Sequence, residues 1–215
     1  MVRTILGLAS AAKGRIGARR LARRWDRLQS MGMRIGHNVW LPGSTWIDTS
    51  YCFLISIGDD CGFGEECVIL AHDAQMDEFI DAARIGRVVI HNSSHIGTRC
   101  VILPGVEIGP RTIVGAGSMV TKSLPPNTVC AGNPARVICS LDDYLAKHRE
   151  RVARSPTFPY TRTLSREERS RIAQAVANQD GYVTGGHSAE LRGEGGTPRT
   201  PLAHPPSSPK GDGSS

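Results

Sequence analysis

An aliphatic residue returns every six positions at Ile90, Ile96, Ile102, Ile108, Val114 and Val120. Two shorter runs keep the same interval, Ile35–Leu41–Ile47 and Ile57–Phe63–Ile69, each in its own phase. A helix face would repeat near 3.6 residues and an alternating strand every two. Period six therefore excludes both as the main element. It fits a short strand followed by a turn, with the aliphatic side chain pointing inward. Three such units make one triangular coil, and stacked coils pair their strands in parallel. No coil buries its inner face alone, so several must stack. Glycine often follows the aliphatic residue, at Gly36, Gly58, Gly64, Gly97, Gly109 and Gly115. The simplest expectation is that this glycine lets the chain turn. Four positions after the aliphatic residue the side chain is usually small: Cys61, Cys67, Ser94, Cys100, Val106, Thr112 and Ser118. Such a residue fits an inner corner.

The pattern breaks twice. Its phase slips between Ile47 and Ile57, which marks residues 48–56 as an irregular rung or a bulge. It is lost again after Ile69, so that 73–89 reads as an inserted loop with His72 at its root. The chain then divides into a basic helical segment (1–34), a coil domain (35–139), C-terminal helices (140–178) and a tail (179–215). In the first segment, Ala18, Leu21, Trp25 and Leu28 share one face of a helix over 15–31. That helix would pack across one end of the coil or touch an anionic membrane surface. Ser140 and the Ser165–Glu168 capping box mark two helix starts. Gly, Pro and Ser dominate from about 180, which predicts disorder.

Composition narrows the function. The formal net charge is +6, but residues 1–34 hold nine Lys/Arg against Asp26 alone. Residues 35–140 hold six basic and ten acidic side chains. The positive balance lies at the ends, so no nucleic-acid partner is expected. No run approaches the roughly 20 apolar residues of a membrane span, and the N-terminus lacks a compact signal core. A cytoplasmic protein, with peripheral membrane contact through the basic N-terminus, is the expectation. The six cysteines form no CxxC and read as small buried thiols.

The hexads, the loop opening on His72, and the segment IGAGSMVTKSLPPNTVCAGNPARVI together resemble the hexapeptide-repeat acyltransferases. The closest branch is that of the galactoside, maltose and xenobiotic O-acetyltransferases, and the resemblance covers roughly 35–150. It implies a left-handed parallel β-helix, a homotrimer, and acetyl-CoA bound in a cleft between subunits. By motif match it places CoA contacts on Thr98, Ala116, Thr121, Lys122 and Arg136. It makes His72 the general base for an acceptor hydroxyl. Histidine suits that work because its ordinary pKa lies near about 6.5. The acceptor expected is a sugar, a polysaccharide precursor or a similar small molecule.

Other residues attract weaker roles. Asp73 is placed to orient His72, although adjacent side chains rarely face each other. Asp77 in the loop is a candidate acceptor contact. His95 stands where the family commonly carries an aromatic residue, and is read as a possible helper of His72 or an acceptor contact. Three further readings stand beside the O-acyltransferase. One is an N-acetyltransferase acting on an amino sugar, and another a non-catalytic trimeric scaffold. The third is a γ-type carbonic anhydrase using His72, His91 and His95 on zinc, whose spacing fits poorly. No metal is expected for the acyltransferase.

Overall fold

The computed structural model of the chain describes residues 20–161 and 163–186. The hexads fold as their period dictates. Their aliphatic residues line the axis of a three-sided prism, and Ile47, Ile69, Ile90, Ile102, Ile108, Val114 and Val120 are essentially inaccessible. The first sheet stacks Arg34–Ile35, Ile55–Ile57, Val88–Ile90 and Glu107–Ile108. The second stacks Gly62–Phe63, His95–Ile96, Ile113–Val114 and Thr128–Gly132, and the third Trp46–Ile47, Val68–Ile69, Val101–Ile102 and Met119–Val120. Every pairing among these strands is parallel. The second sheet ends on Ala135–Ser140, which turns back antiparallel and closes that end.

The small residues do more than fit the corner. Cys67 Sγ points at Gly97 O (3.1 Å), Cys100 Sγ at Gly115 O (3.1 Å), and Ser94 Oγ donates to Gly109 O (2.8 Å). Each hooks one coil to the next. Burial pushes the Cys61, Cys67 and Cys100 thiols up, which leaves them unreactive. All six cysteines are free, and only Cys139 is not fully buried.

The turn is made elsewhere than the sequence suggests. The left-handed residue lies three positions after the aliphatic one: Asn38 (φ 53°), Asp60 (56°), Glu66 (59°), Ser93 (58°), Arg99 (60°) and Arg111 (56°), with Gly105 and Gly117 in the same place. The glycine directly after the aliphatic residue serves close approach. A Cβ on Gly97 would collide with the backbone nitrogen of Ala116 in the neighbouring coil.

The ends of the chain also differ from expectation. Helix α1 is described over 20–30, and the rest of its expected span, Ala18 included, lies outside the described residues. Its apolar face buries Trp25 and Leu28 against the coil core. Arg24 donates to Gly43 O (2.7 Å) and Thr45 O (2.6 Å), which pins the helix across that end. The loop is shorter than 73–89, because Val88 already rejoins the first sheet. Within it, His72–Asp73 pairs antiparallel with Arg84–Ile85, and a single helical turn, α2 (Asp77–Ile80), fills the tip. Helices α3 (Leu141–Arg154) and α4 (Arg166–Ala175) follow, each capped by its predicted serine. The tail reading starts too early: Tyr182–Thr184 forms a strand on Thr157–Pro159, while 187–215 lies outside the described residues. Among the described residues no helix is long and apolar enough to cross a membrane.

Candidate active site

Register locates both irregularities. In the upper coils, paired residues are 18 apart, as in Ile102↔Val120. Ile47 pairs with Ile69, 22 apart, and Ile69 with Ile102, 33 apart. Both insertions leave the coil at the corner after the third sheet, one directly above the other. Four extra residues follow Ile47, and fifteen follow Ile69. Stacking brings together two segments that are far apart in sequence.

The lower insertion begins with Asp48, whose side chain is 1% exposed and faces His72 Nδ1 in the coil above. One carboxylate oxygen also accepts from the Ala71 N–H (3.1 Å), and the other from the N–H groups of Ser50 (3.1 Å) and Tyr51 (3.3 Å). Burial alone pushes the Asp48 carboxyl up. The hydrogen bonds from His72, Ala71 and Tyr51 outweigh it and hold the group below its ordinary value. The site therefore contains a buried carboxylate, tied down on both oxygens. A carboxylate can only accept, so Nδ1 carries the proton between the two groups, and in the neutral ring Nε2 then holds the lone pair. His72 is 30% exposed and lies on the rim. A base held in one tautomer and open on its other nitrogen is equipped to take a proton from an incoming group.

Asp48 was not anticipated. Its only trace in the sequence is that the phase slips immediately after Ile47. Asp73 does not hold the imidazole, because its carboxylate accepts from the Gln75 N–H (3.0 Å) in a local turn. Asp77 starts α2 and is exposed.

The remaining candidates fall on two edges of the third sheet and beyond. Thr121 follows Met119–Val120 at the His72 corner, two coils along, with Leu103 of the intervening coil bonded to Val120 O (3.0 Å). Two coil steps amount to about 10 Å. Lys122 is the next residue and is exposed. Thr98 and Ala116 stack on each other at the opposite corner, before the third sheet, joined by Gly117 N–H to Thr98 O (2.8 Å). Arg136 lies on the closing strand of the second sheet. His95 is on the outer face of that sheet, paired with Gly62 and Ile113, and so does not join His72 within one chain. His91 lies 3.7 Å from Glu107. No three His, Cys, Asp or Glu side chains among the described residues are placed to hold a metal.

A family model described as "Bacterial transferase hexapeptide (six repeats)" matches residues 87–122. The provisionally named acetyltransferase YvoF of Bacillus subtilis (strain 168) is 32% identical over 119 residues, covering 55% of this chain and 67% of that protein. The chain belongs to the hexapeptide-repeat acyltransferase family. Its coil is the left-handed parallel β-helix of that family. This hexapeptide-repeat chain is also 52% identical over 56 residues to the galactoside O-acetyltransferase of Escherichia coli (strain K12). That match covers 26% of the chain and only 28% of the galactoside enzyme. Among solved structures, a hexapeptide-repeat acetyltransferase of Vibrio cholerae complexed with acetyl-CoA superposes with TM-score 0.46 at 28% identity, over 51% of this chain and 61% of that one.

Proposed function

We propose that this protein transfers an acetyl group from acetyl-CoA to a hydroxyl of a sugar or similar small acceptor, with His72 as general base and Asp48 as its positioning residue. The observation that carries this reading is the buried Asp48 carboxylate on Nδ1 of a rim-exposed histidine. In the step proposed, Nε2 accepts the acceptor's O–H proton while the oxygen attacks the thioester carbonyl. The tetrahedral adduct collapses, the C–S bond breaks, and the departing thiolate takes the proton back from the imidazolium. Asp48 stabilises the charged imidazole between those events. A covalent acyl-enzyme is not part of this reading: five of the six cysteines are buried, and the sixth, Cys139, lies on the closing strand of the second sheet.

Lys122 and Arg136 supply cationic charge for the CoA phosphates. Thr98, Ala116 and Thr121 supply hydroxyl and backbone groups along its arm. The relatives' names support the acyl donor. Thr98 and Ala116 occupy the corner opposite His72, so one chain does not bring them together. A homotrimer, with the His72 corner of one copy beside the Thr98 corner of the next, completes the site. The outer face of the third sheet supports this arrangement, because its outward residues Trp46, Val68, Val101 and Met119 are all apolar. The test is acetyl-CoA-dependent thiol release over a panel of sugars and amino sugars. O-acetylated products are expected from the wild type. Products acetylated only on nitrogen, or no acceptor-dependent release, would reject the reading.

A further inference from the structure

Helix α1 uses only one of its faces to cap the prism. Trp25 and Leu28 are buried in the core, and Arg24 is tied to the first coil through the carbonyls of Gly43 and Thr45. Arg20, Arg23 and Arg27 are exposed. At about 100° per residue, their spacing of three and four places them within an arc of about 60° on the side away from the core. None of the three forms an ion pair among the described residues. Arg34, on the first strand, is exposed as well. Charge then changes sign along the prism axis. Residues 20–47, the helix and the first coil, hold five arginines against Asp26 alone. Residues 48–71, the lower insertion and the second coil, hold five acidic side chains and no lysine or arginine. Two apolar side chains border the basic end. Met31 is 40% exposed at the foot of α1, and Phe53 is 55% exposed beside it, its Cβ 2.9 Å from where a Cβ on Gly32 would stand.

We propose that this end of the prism docks end-on against an anionic membrane surface through Arg20, Arg23, Arg27 and Arg34. The apolar face of α1 is already occupied by the core, so the helix does not sink into the bilayer as an interfacial amphipathic helix does. The attraction is electrostatic, with Met31 and Phe53 entering the headgroup layer. The sign change selects the shape of the partner. A polyanion lying along the side of the prism would meet Asp59, Asp60 and Glu65 one coil up, whereas a flat surface meets the arginines alone. The same boundary fixes the orientation, since tilting the prism brings the acidic coil towards the lipid phosphates. In the homotrimer proposed above the copies stand the same way up, so three basic ends share one face and bind together. Docking would hold the His72 corner near the surface, because Asp48 belongs to the coil that Arg24 grips at Thr45, and His72 lies one coil further. The inference goes beyond acetyl transfer and does not depend on it.

The test sediments full-length protein with vesicles of phosphatidylcholine alone or with about one-third phosphatidylglycerol. At about 0.1 M salt, where charges are felt over about 10 Å, the protein should pellet only with the anionic vesicles. Raising the salt to about 0.5 M should release it. Each arginine near such a surface is worth about fivefold in affinity, so the triple variant Arg20→Gln, Arg23→Gln, Arg27→Gln should bind about 10²-fold more weakly. Its Tm should match that of the wild type, because the three side chains lie outside the core. Lysine at the same three positions keeps the charge and should keep binding within about threefold. The inference fails if anionic and neutral vesicles bind alike, if the glutamine variant binds as the wild type does, or if duplex DNA at equal phosphate concentration holds the protein more tightly than the vesicles. None of the three arginines belongs to the proposed acetyl-transfer site, so thiol release on a soluble acceptor should be unchanged in the variant. A wild type that releases thiol but ignores anionic vesicles rejects the docking surface alone.

Discussion

At the scale of single residues, the important contact is one that sequence reading missed. Asp73, next to His72 in the chain, was the natural partner by proximity, yet its carboxylate closes its own turn. Asp48, 24 residues away, holds the imidazole. Substituting Asp48→Asn keeps the shape but removes the charge, so kcat should fall by about 10²-fold with little change in the KM for acetyl-CoA. Steady-state thiol release checks this. The same residue sets an acid limit on stability. Its folded-state carboxyl is held below its ordinary value, so the ionised form adds stability above the unfolded carboxylate range, near about 4. That contribution is lost as pH falls through the lower folded value. The gap in Tm between wild type and Asp48→Asn should therefore be wide at pH 6 and shrink towards pH 3. A gap that stays constant with pH would deny Asp48 this role.

Elements were more legible than contacts. Period six requires stacked coils because each inward side chain needs a neighbour above and below, and Ile90 through Val120 supply them without a gap. The glycines were legible as a position but not as a reason. Sequence shows that Gly97 follows Ile96, whereas only the stacked coil shows Ala116 pressing on it. Gly97→Ala should cost about 1–3 kcal/mol, in line with overpacking of a tight site, measured by urea denaturation. Both insertions were visible as losses of phase, but their meeting at one corner was not. A phase slip gives the number of extra residues and not the edge from which they leave. That edge follows from register, in which 22- and 33-residue intervals close on the same sheet. The approach of the Tyr51 ring to His72 was hidden for the same reason, since the two meet only through the stacking of coils.

For the whole molecule, the residues proposed for the base and for CoA fall on opposite edges of the third sheet. The His72 corner carries Thr121 and Lys122, and the other corner carries Thr98 and Ala116. The strip of Trp46, Val68, Val101 and Met119 lies between them on the sheet's outer face. Burying this strip in a trimer would unite the halves. Val101→Glu places a charge in its middle and should convert a trimer to monomer in sedimentation, with loss of thiol release. A monomeric wild type that retains full activity would overturn the shared site.

The dyad itself is most directly tested by a double-mutant cycle on kcat/KM for the best acceptor, using His72→Ala, Asp48→Asn and the pair together. Residues that act as one unit do not add. His72→Ala should cost about 10²–10⁴-fold, Asp48→Asn less, and the double variant no more than His72→Ala alone. Losses that multiply independently, or a His72→Ala enzyme that keeps wild-type activity, would contradict proton transfer by His72 under the control of Asp48.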